Sequence, residues 1–229
     1  MAKLAEIAGS GAMFLLGNHG CCGVPGMRDH SKESLQRSWW LGQGSLIDVI
    51  INRGGQLLAS HDPDVSLTRD DAICFKEVAD WAENEKTFLC LNLPQAGDAG
   101  MECVVRIVKL ANEKNLAFAI CSADVKLLRK VKKSFRGTET VYIESNGEDP
   151  LKEAAKAGCG GIIVECRGDY FDEVNDLFQK NKKRKKGRMA FLAHIASDFE
   201  CAPWCAHLGM GFICDDPLEA VNEIMKYRY

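Results

Sequence analysis

Short continuous apolar runs alternate with longer amphipathic stretches along nearly the whole chain. The runs at 12–17, 45–51, 56–60, 87–93, 116–121, 139–144, 160–164, 189–194 and 211–214 read as strands. Helical periodicity falls between them, near 31–41, 69–85, 99–114, 123–134, 149–157, 169–181, 198–207 and 216–226. Several of these helices carry a starting signal: Ser122-Ala-Asp124, Glu148-Asp-Pro150 and Asp215-Asp-Pro217, the last two with proline early in the helix. Such alternation predicts parallel strands joined by crossover helices.

One run breaks the rule. Residues 45–51 and 56–60 flank Gly54-Gly55, a two-residue turn signal that needs φ > 0. The second run therefore returns antiparallel and cannot be a crossover neighbour. Set aside as a hairpin, at about 45–61, that extends strand two over the mouth, it leaves eight strands and eight helices. That count predicts an α/β fold of the (β/α)8 TIM-barrel class, as one domain over 1–229. An open doubly wound sheet would carry a glycine-rich phosphate loop after the first strand, and Gly17-Asn-His-Gly20 fits no such spacing.

Folding the hairpin about Gly54-Gly55 pairs Arg53 with Gln56 and, further down, Asp48 with His61, thirteen residues apart. Directly opposed side chains on one face lie about 4.5–5.5 Å apart at Cβ. A carboxylate and an imidazole are thereby delivered to one place. An acid inside Leu46-Ile-Asp48-Val-Ile-Ile51 must be paired or solvated, and a barrel mouth offers both.

In this fold class the chemistry sits at the C-terminal ends of the strands. Polar residues expected there are Asn18, His19, Asp48, Asn92, Ser122, Glu144, Ser145, Glu165, Arg167, His194 and Asp215, with His61 and Asp62 dropped back in by the hairpin.

Composition narrows the class without naming a ligand. With 229 residues, 46% apolar and 27% charged, the chain has enough material for a sizeable core. A net charge of −3 gives no global bias toward nucleic acid or anionic membrane. No apolar run approaches the roughly 18 residues of a membrane span, and 12–16 reads as a core strand, with no basic stretch before it. The eleven cysteines are scattered through apolar runs and read as reduced core thiols, which favours the cytoplasm. Cys201-Ala-Pro-Trp-Cys205 lacks the paired Cys-x2-Cys arms of a strong zinc site. Lys180–Arg188, with seven basic residues in nine, reads as a solvated turn before a core strand.

The hairpin resembles the metal-and-histidine signature of the glycerophosphodiester phosphodiesterases, in the superfamily that also holds the phosphoinositide-specific phospholipases C. That family carries His-Arg-Gly at the end of strand one, Glu-x-Asp in strand two, and His-Asp-Pro thirteen residues after the Asp. Here Asp48 is followed by His61-Asp62-Pro63 at that spacing. Leu208-Gly-Met-Gly-Phe-Ile-Cys-Asp-Asp-Pro217 resembles the closing Gly-x-x-Gly-Ile-x-Thr-Asp-x-Pro. Ala119-Ile-Cys-Ser-Ala-Asp124 resembles the serine motif, and His194-Ile-Ala-Ser-Asp198 the Trp-Thr-Val-Asn segment.

The resemblance implies metal-assisted acid–base cleavage of a phosphodiester. Oxygen ligands hold a divalent ion, Ca²⁺ or Mg²⁺, while two histidines exchange protons with the attacking and leaving oxygens. The kit is incomplete here. Asn18 stands where the first catalytic His belongs, Leu46 replaces one metal carboxylate, and Asn92-Leu-Pro94 stands in place of Glu-x-Lys. His61 as catalytic residue, Asp48 as metal ligand and Asp62 remain in register, with Asn92 as a substrate contact.

Substitutes for the lost groups are His19 for the histidine, Glu144 and Glu165 for the carboxylates, and Arg167 or Arg28 for positive charge. A one-residue slip along a strand turns His19 to the other face unless the backbone departs locally. Two outcomes are therefore expected. One is a barrel with a degraded site that binds a small phosphodiester or anionic ligand and hydrolyses it little. The other is a divergent phosphodiesterase working through His61, with Asp48 and substitute ligands, on a small glycerophosphodiester or cyclic phosphate. A metal-independent variant, with Arg167 or Arg28 as the cation, is a third.

Overall fold

The computed structural model describes residues 14–62, 64, 72–144, 149–184, 186–197 and 199–227. The expected residues Ser145, Pro63, Glu148 and Asp198 lie outside them. Strands β1 (Leu15–Asn18), β2 (Gly44–Ile51), β5 (Phe88–Asn92), β6 (Ala117–Ser122), β7 (Glu139–Ile143), β8 (Gly161–Glu165), β9 (Ala190–Ala196) and β10 (Gly211–Cys214) are parallel neighbours in that order. Pairing of β10 with β1, and of β1 with β2, closes them into the expected eight-stranded barrel.

Among the described residues, eight helices surround the barrel: α1 (Lys32–Leu41), α2 (Phe75–Glu85), α3 (Gly97–Glu113), α4 (Val125–Ser134), α5 (Pro150–Ala157), α6 (Phe171–Lys182), α7 (Ala202–Leu208) and α8 (Pro217–Lys226). Asp124, Asp149 and Asp216 cap α4, α5 and α8, each accepting two backbone N–H groups, and Pro150 and Pro217 occupy the first turn.

Continuous apolar runs arise because each strand is buried on both faces. Leu16, Leu46, Cys90, Ala119, Val141, Ile163, Leu192 and Ile213 fill the barrel interior. The alternating set, including Leu15, Ile47, Leu89, Ile120, Ile162 and Phe212, packs beneath the helices. Period-two alternation carries the inward rows on to Asn18, Asp48, Asn92, Glu165, His194 and Asp215 at the C-terminal rim. The rim is where the apolar interior turns polar.

The hairpin forms with a register different from the one expected. β3 (Leu57–Ala59) pairs antiparallel with β2, with Val49 opposite Ala59 and Ile51 opposite Leu57. Asp48 therefore faces Ser60, whose N–H it accepts at 3.1 Å, and not His61. The turn has three residues instead of two: Gly55 N–H donates to Asn52 O at 2.9 Å, and Gly55 alone of the glycine pair has positive φ, at 75°. A tight turn followed by a left-handed glycine inserts one extra residue into the loop. The ladder ends at Ser60, so His61 is released from strand alternation.

A second departure lies in the stretch expected as helix 69–85. Within it Ile73–Cys74 form β4, antiparallel to β3, and α2 begins only at Phe75. Two β-branched or thiol residues complete the small hairpin sheet before the helix starts. Elsewhere the expected elements hold to within a few residues at their ends.

Trp39 and Trp40, adjacent on α1, part company. Trp39 is buried and its Nε1–H donates to Ser45 Oγ at 3.0 Å, while Trp40 is 78% exposed. Ser38 Oγ also reaches Gly44 O and Ser45 Oγ, both at 2.8 Å. This knot fixes α1 against β2 and thereby the loop between β1 and α1.

A candidate active site of three histidines at the barrel mouth

His19 follows β1, His30 precedes α1, and His61 follows β3; the three rings nonetheless stack edge to face. Their centroids lie 4.1 Å (His19–His61), 4.8 Å (His19–His30) and 5.0 Å (His30–His61) apart. One ligand nitrogen from each falls within 4.8 Å of the others, the size of a metal-binding group.

Left-handed backbone is what brings His19 and His30 here. Their φ angles are 48° and 59°, uncommon for residues other than glycine. At His19 this undoes the strand alternation that would have turned its side chain away, so its ring lies against those of His30 and His61. The segment between them leaves and returns to the same point, with His30 N–H donating to His19 O at 2.9 Å. Ser34 of α1 braces it from below, its Oγ accepting Cys21 N–H at 2.6 Å and lying 3.4 Å from His19 O. A Cβ on Gly17 would collide with Gly20 O and the Ser38 side chain, so only glycine lets this turn close over α1.

Asp48 is the anchor of the group. It is buried, accepts Asn92 Nδ2–H at 2.6 Å on one oxygen, and binds His61 Nδ1 through the other. Burial alone would raise its pKa; the His61 hydrogen bond, the charge of His19, the Asn92 amide and the charge of His61 together hold it below the usual carboxylate value. The same hydrogen bond raises His61, against partial burial, with Asp29 adding to the effect. Asp29 Oδ2 stands 3.7 Å from His61 Nε2. His61 is thus the basic imidazole of the three.

The other two are held neutral. Burial pushes His19 down to about 4 and His30 to about 3, and in each case the like charge of neighbouring histidines adds to it. Asp48 N–H donates to His30 Nε2 at 3.4 Å, which makes that nitrogen an acceptor and places the His30 proton on Nδ1. His19 Nδ1, 3.1 Å from the same nitrogen, is then the donor, leaving His19 Nε2 with a lone pair. His61, donating from Nδ1 to Asp48, keeps its Nε2 lone pair when neutral.

Of the remaining expected residues, Asn92 joins this group and the others are spread around the rim. Asn18 occupies the inward rim position of the lost histidine, but its Nδ2 donates to Asp215 at 2.9 Å and its buried Oδ1 has no partner among the described residues. Asn92 is committed to Asp48. Asp62, exposed, accepts Asp64 N–H at 2.8 Å in a local turn.

Glu144 and Glu165 stand together on the β7–β8 side. Glu165 N–H donates to Glu144 at 3.3 Å, and Arg167 Nε binds Glu165 at 2.9 Å. The structure does not bring these three to the histidines. Glu144 is raised by burial, and the charge of Glu165 adds to it. His30 was missed by sequence reasoning. Its only signal was a histidine directly before Ser31, the cap of α1, in a loop at the catalytic end of the barrel.

These residues do not fit a Ca²⁺ or Mg²⁺ site of the kind the resemblance implied. Ca²⁺ takes six to eight oxygens and Mg²⁺ a near-ideal octahedron. Here Leu46 packs into the apolar interior and both Asp48 oxygens are already engaged. Among the described residues, the donors that converge are nitrogens.

No protein-family model and no curated protein matches the chain by sequence. Solved structures match it closely in shape. A glycerophosphodiester phosphodiesterase from Parabacteroides distasonis superposes with a TM-score of 0.77 at 16% identity, over 95% of this chain and 98% of that one. An Oleispira antarctica phosphodiesterase, solved with its product sn-glycerol-3-phosphate, gives 0.74 at 16% identity over 95% and 99%. A glycerophosphodiester phosphodiesterase from Agrobacterium tumefaciens gives 0.66 at 11% over 92% and 100%. The chain therefore has the fold of the glycerophosphodiester phosphodiesterases from end to end of those domains.

Proposed function

We propose that this chain is a phosphodiesterase-type barrel whose mouth binds a small phosphodiester or its phosphomonoester product, with the Ca²⁺- or Mg²⁺-dependent hydrolysis of that fold weak or lost. The fold likeness supports the ligand class, as does the phosphomonoester seated in the Oleispira relative. One observation carries the loss of the hard-ion route: Asp48 spends its two oxygens on Asn92 and His61 while Leu46 faces the apolar interior. Eleven cysteines, all free thiols, support a reducing compartment for this work.

A second reading, hydrolysis through the imidazoles, is favoured by the Asp48–His61 pair. A carboxylate on Nδ1 orients His61 and raises its basicity, as a general base for an attacking hydroxyl requires. His19 Nε2, neutral at physiological pH, would accept a proton and could not donate one, so the acid half of such a reaction lacks a ready donor.

The test is hydrolysis of a panel of glycerophosphodiesters with added Ca²⁺ or Mg²⁺, run beside His61→Ala, with glycerol 3-phosphate binding followed by calorimetry. We expect binding, and turnover no higher than in His61→Ala. Metal-dependent turnover that vanishes in His61→Ala would overturn the loss of hydrolysis, and absence of binding would retire the ligand class.

A further inference from the structure

The mismatch between a hard-ion fold and a nitrogen-rich mouth has a positive content. We infer that His19, His30 and His61 form a binding site for a borderline divalent transition metal of the Zn²⁺ class, in place of the oxygen-bound ion. The inference concerns the metal alone and stands whether or not the barrel hydrolyses phosphodiesters.

Three features support it. The first is spacing. Two nitrogens each about 2.1 Å from a tetrahedral zinc lie about 3.4 Å apart, and His19 Nδ1 and His30 Nε2 are already 3.1 Å apart. That contact now holds a proton between two imidazoles, the position a metal ion replaces. The ion also takes over the His30 Nε2 lone pair, which Asp48 N–H reaches only at 3.4 Å. The second is the support behind His61. A ligating histidine commonly donates its other N–H to a carboxylate, which fixes tautomer and ring angle. Asp48 does this for His61 and is in turn held by Asn92. The third is charge: Asp48 and Asp29 both flank His61, so the site is built to favour a cation over a bare anion.

Donor chemistry selects the ion. Imidazole suits Zn²⁺, Co²⁺, Ni²⁺ and Cu²⁺, whereas Ca²⁺ and Mg²⁺ prefer carboxylate and carbonyl oxygen. Three protein ligands with a half-exposed third member leave one position open, as catalytic zinc sites do. Asp29 Oδ2 stands 3.7 Å from His61 Nε2, on that face. A metal so held would give the mouth the positive charge that a phosphate ligand needs and that Leu46 and Asn92 no longer help to supply.

The experiment titrates Zn²⁺, and Co²⁺ as a visible probe, into the reduced, metal-stripped protein. Calorimetry reads affinity, absorption reads the donor set, and histidine long-range ¹H–¹⁵N spectra read which rings bind. We expect one equivalent, nitrogen-type Co²⁺ bands, and shifts at His19, His30 and His61 but not at His194 or His207. Excess Ca²⁺ or Mg²⁺ should not displace it.

Asp48→Asn should weaken binding about 10–100-fold, and His61→Ala should weaken it at least as much. Added imidazole should restore affinity in His61→Ala, an outcome that a merely unfolded site would not show. Intense thiolate-to-metal absorption, lost in Cys22→Ser, would overturn the assignment in favour of a cysteine site. Affinity unchanged in His61→Ala, or no binding above that of Ca²⁺, would overturn it outright.

Discussion

The imidazoles of His19 and His30 meet at 3.1 Å, Nδ1 to Nε2, while the backbones of the same two residues are joined by a 2.9 Å hydrogen bond. Both are left-handed, and both close the mouth of one loop. The ten residues between them are thereby pinned at their base by a double contact, one from main chain and one from side chain. The candidate cluster and the local fold rest on the same contacts.

Acid should break it. His19 and His30 sit below the value of about 6.5 that they have in an unfolded chain, so the folded state binds fewer protons than the unfolded state between pH 6.5 and about 3. Stability rises with pH wherever that holds. Their contribution is complete above pH 6.5 and is lost as pH falls through about 4 and then about 3. Asp48, also lowered, loses its contribution on the same acid side. His61 has the opposite sign: raised in the fold, it stabilises below pH 6.5 and loses that contribution as pH climbs through its folded value. Thermal melts in chelator from pH 8 to pH 4 should show Tm falling on the acid limb, with a shallower fall in His30→Gln. An unchanged slope in that variant would remove His30 from the account.

The two glycines of the hairpin should behave differently. Gly55→Ala puts a Cβ on a residue with φ of 75° and should cost about 1–2 kcal/mol. At Gly54 the added Cβ meets Asn52 Oδ1 only at 3.4 Å and φ is not positive, so Gly54→Ala should change stability far less. Denaturant unfolding of the two variants measures the difference. Equal losses would favour a two-residue turn with both glycines left-handed.

Ser34→Ala should loosen the histidine loop without touching any imidazole. It leaves the buried Cys21 N–H unsatisfied, at a cost of about 1–3 kcal/mol. Hydrogen exchange at Cys21 and His30 should speed up while amides in the barrel strands stay protected.

Restoring acids should restore the hard-ion site. Leu46→Glu with Asn92→Glu places two carboxylates beside Asp48 at the inward rim. Without metal the variant should melt lower than the parent, because the acids are buried and repel one another. With Ca²⁺ at about a hundredfold excess over Kd it should regain about 3 kcal/mol, whereas the parent should show no Ca²⁺ shift. A Ca²⁺ shift in the parent, read by differential scanning fluorimetry, would mean that its existing oxygens suffice.

Trp39 and Trp40 separate core from surface on one helix. Trp39→Ala removes a buried ring and its bond to Ser45, for about 3–5 kcal/mol. Trp40→Ala should stay within about 0.5 kcal/mol of the parent, its ring being mostly in solvent. Chemical denaturation of the pair checks both.

The barrel itself was legible in the chain, because strands buried on both faces leave unbroken apolar runs and helices leave a period that no strand can imitate. Caps at Asp124, Asp149 and Asp216 were legible for the same local reason. So was the return of the hairpin, and with it the meeting of Asp48 and His61. Its register was not: pairing depends on whether one or both glycines turn left-handed, and Gly54-Gly55 permits either.

The third histidine needed the tertiary structure altogether. His19 and His30 reach the mouth through left-handed backbone that no alternation rule anticipates, stabilised by Ser34 from a helix packed beneath. Local periodicity determines which elements form and in what order. Only the packing of α1 against β1 and β2 decides that a side chain one residue past the expected position, and another eleven residues further on, complete the site.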